Sequence, residues 1–88
     1  MKNKVLVKLF IPEIDTFFDV FIPVNEVVWK LKKMLVKVVS DVVNVDLDIN
    51  RDYILINSDN NRIYKNNEIV IDTDIRNACE LILFSKYV

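Results

Sequence analysis

Polar and apolar positions along this chain switch from a two-residue rhythm to a helical one and back. From Lys4 to Ile11 the residues read KVLVKLFI: Val5, Val7, Leu9 and Ile11 share one face, and Lys4, Leu6, Lys8 and Phe10 the other. This predicts a β-strand that ends at Pro12, which has no N–H to continue a ladder. A short turn, PEIDT, leads into FFDVFIP, where Phe18, Val20 and Ile22 alternate on one face and Pro23 closes the run. Two strands so closely joined predict a hairpin. From Asn25 the rhythm changes: Val28, Leu31, Leu35, Val38, Val39 and Val42 follow helical spacing, a stripe about 100° wide. Asn25 is the candidate N-cap, Glu26 suits the first turn, and Val24 with Trp29 would form a hydrophobic staple. Lys30, Lys33 and Lys37 lie opposite the stripe, with Lys32 beside them. Valine is a weak helix former, so packing must hold this helix.

The second half returns to strands. VNVDLDIN reads as an extended connection, DYILIN as a strand, SDNN as a turn and RIY as a short strand. KNNEIVIDTDIRN reads as a loop anchored by Val70 and Ile75, and CELILF as a last strand with Leu81 and Leu83 facing inward. The order β-β-α-β-β-β predicts an α+β fold, a mixed sheet with one helix across one face. With the last strand parallel to the first and both central, this is a ubiquitin-like β-grasp. At 88 residues, positions 1–88 are expected to form one such domain.

Composition narrows the classes. Hydrophobic residues make up 52% and charged residues 28%, which argues against disorder. Mean hydropathy is +0.23, high for a small domain, and hints at more apolar surface than one core needs. A net charge of −1 and a pI near 5.3 argue against nucleic acid as a partner. No apolar run approaches the ~18 residues of a membrane span, so no integral membrane segment is expected. One cysteine and no histidine exclude an internal disulfide and a multi-cysteine metal site, and fit a reducing cytoplasm. Glycine is absent. Turns that need positive φ must therefore use Asn or Asp, which cluster at 57–61 and 65–67.

Within the ubiquitin-like superfamily the chain resembles the YukD/EsaB group that accompanies type VII (WXG100-substrate) secretion systems. Ile22, Val28, Leu31 and Leu35 keep the superfamily's spacing from second strand into helix. Val70, Asp72, Ile75, Leu81 and Leu83 match its closing L-x-D-x-x-I…L-x-L pattern. VLVKLFIPEIDTFFDVFIPVN, IYKNNEIVIDTDIRN and ELILF carry the likeness to the group itself. The resemblance implies a cytoplasmic accessory or regulatory component associated with a membrane secretion complex, without catalytic residues or cofactor. Relatives tend to carry Asn-Gly where this chain has Asn77-Ala78, so Asn77 is expected to be the left-handed residue. The alternatives are a protein modifier or sulfur carrier, disfavoured because no Gly-Gly tail precedes Val88, and a stand-alone adaptor unrelated to secretion.

Candidate chemistry is sparse. Asp46, Asp48, Asn50 and Asp52 alternate as in a calcium loop, but Arg51 stands in place of the turn glycine and Asn57 in place of the closing glutamate, so no metal is expected. Cys79 has no histidine to activate it and reads as a small residue at a strand start. The lysine face of the helix reads as a solvated surface. The sheet face away from the helix is different. Leu6, Phe10, Phe21, Leu55, Ile82 and Phe84 are assigned to it, where a wet face should be polar. These six residues are the candidate protein-interaction site, for a secretion-machinery component or a second copy of the chain.

Overall fold

The computed structural model describes residues 3–86. The elements are β1 (Lys4–Ile11), a 3-10 turn (Pro12–Ile14), β2 (Thr16–Pro23), α1 (Val28–Val43), β3 (Tyr53–Asn57), a second 3-10 turn (Val70–Asp72) and β4 (Glu80–Ser85). The sheet has the order β2-β1-β4-β3. β1 pairs antiparallel with β2 and parallel with β4, and β3 pairs antiparallel with β4. The first and last strands are thus central. Pro23 is tolerated in β2 because that strand is an edge.

One face of this sheet and one flank of α1 enclose the core. Val7, Leu9, Ile11, Ile22, Leu55, Leu81 and Leu83 meet Val28, Leu31, Leu35, Val36 and Val39, with Val70 and Ile75 plugging it from the long loop. The helix departs from its predicted phase. Val36 is buried, while Val38 and Val42 are 44% and 68% exposed. Val36 and Val38 lie about 200° apart around the axis, so only one of them can face the sheet.

The helix start also differs from expectation. Val27, not Asn25, is the N-cap, and no side chain caps the helix. The loop after β3 does so instead: Val28 N–H donates to the Glu68 carbonyl at 2.8 Å and Trp29 N–H to that of Asn66 at 3.2 Å. With Val27 as the N-cap, Val24 no longer occupies the position before the cap that a staple with Trp29 requires, and Trp29 is 44% exposed. The same loop explains why RIY is not a strand. Ile63 keeps a single bridge to Ile56 before the chain turns away at Lys65 toward the helix.

Without glycine, the left-handed positions fall to Asp15, Asn44, Asn61 and Ala78. Asn44 ends α1, its N–H donating to the Ser40 carbonyl. The Asn77 expectation is overturned: Ala78 carries the positive φ of 69°. Asn77 is otherwise engaged, as its Oδ1 accepts the Leu6 N–H at 2.9 Å.

Candidate functional site: the outer face of the sheet

Side chains alternate across a strand, so each strand that buries one set presents the other outward. On β1 the outward set is Leu6, Lys8 and Phe10, and on β2 it is Phe17, Asp19 and Phe21. On β4 it is Glu80, Ile82 and Phe84, and on β3 Ile54 and Ile56.

Leu55 does not belong here. It is 0% exposed and stands opposite Leu83 in the core, so its assignment to the outer face is wrong. The cause is Asn57, which shares its parity. A polar residue at that position reads as surface, yet Asn57 is buried. Its Nδ2 donates to Tyr64 Oη at 3.1 Å and to Cys79 Sγ at 3.3 Å, and its Oδ1 accepts the Asp59 N–H at 2.9 Å. A satisfied buried amide inverts the apparent pattern, and one step of register flips every side chain. The outward residues of β3 are Ile54 and Ile56.

Registers place the other side chains in rows. Phe17 stands beside Phe10, Phe10 beside Ile82, Ile82 beside Ile56, and Ile56 beside Ile63. This apolar row crosses all four strands and ends on the Ile63 bridge, four steps or about 19 Å at the usual interstrand spacing. Its ends are open: Phe17 is 51% and Ile63 58% exposed. Phe10 and Phe17 stack with ring centroids 4.5 Å apart. Phe84 and Ile54 form a second pair below the row, and Leu6 with Phe21 a third at the opposite end. Between these runs a charged row, Asp19, Lys8 and Glu80. It borders a shallow groove of about 650 Å³ whose wall includes Leu6, Asn77 and Ala78. Of the six residues expected at the site, Leu6, Phe10, Phe21, Ile82 and Phe84 share this face. Phe17, Ile54, Ile56 and Ile63 were missed. The alternation carried the signal for Phe17, and the reading of RIY as a short strand after the SDNN turn carried one for Ile63.

Away from this face, Tyr64, Asp74, Cys79 and Asp48 take part in local structural contacts. Tyr64 Oη donates to Asp74, whose other oxygen accepts from Asn60 at 2.8 Å. Burial, then this hydrogen bond, pushes the Tyr64 hydroxyl far above its ordinary range, and the same bond holds Asp74 below its own. Burial also raises the Cys79 thiol, away from the thiolate a nucleophile requires. In the aspartate-rich segment, Asp48 Oδ1 accepts the Asn50 N–H at 2.9 Å and Oδ2 lies 3.9 Å from Arg51 Nε, a local turn. Among the described residues no group of His, Cys, Asp or Glu could hold a metal ion. No described helix is long and apolar enough to cross a membrane. Tyr87 and Val88, on which the tail expectation rests, lie outside the described residues.

No protein-family model matches the sequence, and no curated protein matches it. Solved structures do match the fold. A ubiquitin-like domain of an Arabidopsis thaliana protein is 21% identical with a TM-score of 0.71, over 98% of this chain and 81% of that one. The fold is the ubiquitin-like β-grasp. The same β-grasp occurs in a chain of the MycP5-free ESX-5 inner membrane complex, at 16% identity and a TM-score of 0.75 over 92% of this chain. This chain spans 20% of the length of that one. A chain of the toluene 4-monooxygenase HD complex is 9% identical with a TM-score of 0.71, over 94% of this chain and 99% of that one.

Proposed function

We propose that this β-grasp protein is a non-catalytic interaction module, a cytoplasmic accessory or regulatory component of a type VII secretion system. The apolar row from Phe17 to Ile63 carries the reading, since contiguous apolar surface of this kind marks a contact site more often than bare surface. The partner is a protein component of the secretion machine. The sequence resemblance to the YukD/EsaB group supports that assignment, and the occurrence of the same fold within an ESX-5 inner membrane complex agrees with it. A second reading, a stand-alone adaptor outside secretion, is favoured by the fold's occurrence as nearly the whole of one chain in the monooxygenase complex.

The test is genetic and physical. Deleting the gene from its host should reduce release of WXG100 substrates, and the intact gene should restore it. A Phe17→Ser, Ile63→Ser double variant should fold but fail to restore release or to co-purify with the secretion complex. Undiminished release after deletion would favour the adaptor, and a dimer abolished by the double variant would assign the row to self-association.

A further inference from the structure

Lys32 stands apart from the other lysines of α1. At about 100° of rotation per residue, Lys30, Lys33 and Lys37 share the solvent side, whereas Lys32 falls on the flank turned toward β3. Its Nζ donates to the Tyr53 carbonyl at 2.7 Å, at the open edge of that strand. An ammonium has three donors, and this is the one hydrogen bond that Nζ makes among the described residues. No carboxylate lies within ion-pair distance of it among them either. Partial burial lowers its pKa; Asp52 opposes this, and Lys86 adds to it. The ammonium is thus half-buried beside a second cation, with Asp52 its nearest opposing charge but not within ion-pair distance.

Its surroundings are concave on both sides. Toward the helix lies a cavity of about 80 Å³ walled by Trp29, Lys33, Ile49 and Arg51. Toward the loop lies a groove of about 310 Å³ walled by Ile54, Ile63, Lys65 and Lys86. Asp52 is the one carboxylate that lines either. Both are lined by cations together with apolar side chains, which suits a ligand that carries carboxylates and apolar side chains together. A flat lipid surface would meet the convex face of Lys30, Lys33 and Lys37 before it reached a recessed ammonium.

We infer that the junction of α1 and the β3 edge is a second binding site, which takes an acidic peptide segment of a partner protein with a carboxylate on Lys32 and Lys86. The site adjoins the apolar row at Ile63 but does not depend on the secretion reading, and its test residues lie outside that row.

Trp29 is the sole tryptophan and lines the cavity, so its fluorescence reports occupancy. The probe is a blocked pentapeptide alternating glutamate with valine. Its lysine counterpart, inorganic phosphate and phosphatidylserine vesicles are the comparisons. The glutamate peptide should give a saturable change that weakens with added salt. Lys32→Met and Lys86→Gln should each weaken it about tenfold or more. Lys86 is exposed, so its variant tests the site even if loss of the Tyr53 contact destabilises the first. No response to the glutamate peptide, an equal response to the lysine peptide, or unchanged affinity in both variants overturns the site. Phosphate that binds as tightly as the peptide reduces it to an anion cleft, and vesicles that bind where the peptide does not give the surface to a membrane; either result also overturns it.

Discussion

The side-chain oxygen of Asn77 accepts the backbone N–H of Leu6, 71 positions earlier, at 2.9 Å. One residue on, Ala78 N–H donates to the Leu6 carbonyl, also at 2.9 Å. The turn before β4 therefore grips both backbone groups of Leu6 and extends the parallel β1–β4 pairing back from its first regular pair, Lys8 with Glu80. Holding this grip puts Ala78 in the left-handed region, where a Cβ costs roughly 1–2 kcal/mol.

Ala78→Gly should relieve that cost. Glycine gives back part of the gain in chain entropy, so the expected net stabilisation is about 0.5–1 kcal/mol. Asn77→Ala should act in the opposite sense by about 1 kcal/mol, because Leu6 loses its acceptor. Urea unfolding of the two variants checks the pair. A destabilised Ala78→Gly protein would place the positive φ elsewhere.

The phase of α1 is tested by two substitutions. Leu35 is 2% exposed in the core, and Leu35→Ala should cost about 2–5 kcal/mol. Val38→Ala removes a side chain that is mostly outside the core and should change stability by no more than about 0.5 kcal/mol. Equal losses in denaturant titrations would mean that the helix is rotated from the orientation described.

Much of the fold was legible because its strands bury one face and its helix one stripe. The alternations of β1, β2 and β4 and the anchors Val70 and Ile75 lead directly to the topology. The failures share a physical cause, which is tertiary partners that the local pattern does not show. Asn57 is buried because Tyr64 and Cys79 receive it, and this misplaced Leu55 at the site. Carbonyls from residues 66 and 68 cap the helix, which displaced Asn25 as the N-cap and shortened RIY to a bridge. Lys32 was grouped with the solvent lysines because its acceptor, the Tyr53 carbonyl, lies 21 positions away.

The Tyr64–Asp74 pair links stability to pH at both ends of the scale. The Tyr64 hydrogen bond, ahead of the Asn60 and Arg62 contributions, depresses the Asp74 pKa. Its contribution is therefore present above the ordinary aspartate range and lost as pH falls through the lower, folded value. Tyr64 titrates in the other sense: its contribution is complete below the ordinary tyrosine value and declines as pH rises beyond it. Tyr64→Phe should flatten both limbs in denaturant midpoints measured across pH. Asp74→Asn should flatten the acid limb. Limbs unchanged in Tyr64→Phe would show that other groups set the pH dependence.

The corrected register of β3 makes a sharp contrast on the sheet. Leu55 has no exposed surface, so Leu55→Ser should lose the transfer energy of its side chain and also bury a hydroxyl, at least the roughly 2–5 kcal/mol of a core truncation. Phe17, at the open end of the apolar row, is 51% exposed, so Phe17→Ser forfeits only part of a side chain's burial together with its stacking on Phe10, the latter worth about 0.5–1.5 kcal/mol. The first variant should unfold at much lower temperature, and the second should melt cooperatively close to the parent. Binding should divide the other way. Full burial of a phenylalanine contributes about 1.5–3 kcal/mol of transfer energy, so Phe17→Ser should weaken partner capture or self-association by tenfold or more, about 1.4 kcal/mol. Calorimetry and sedimentation of the same samples separate the two effects. If Phe17→Ser unfolds the protein, β2 is not an open edge. If it binds as the parent does, the contact lies off this row.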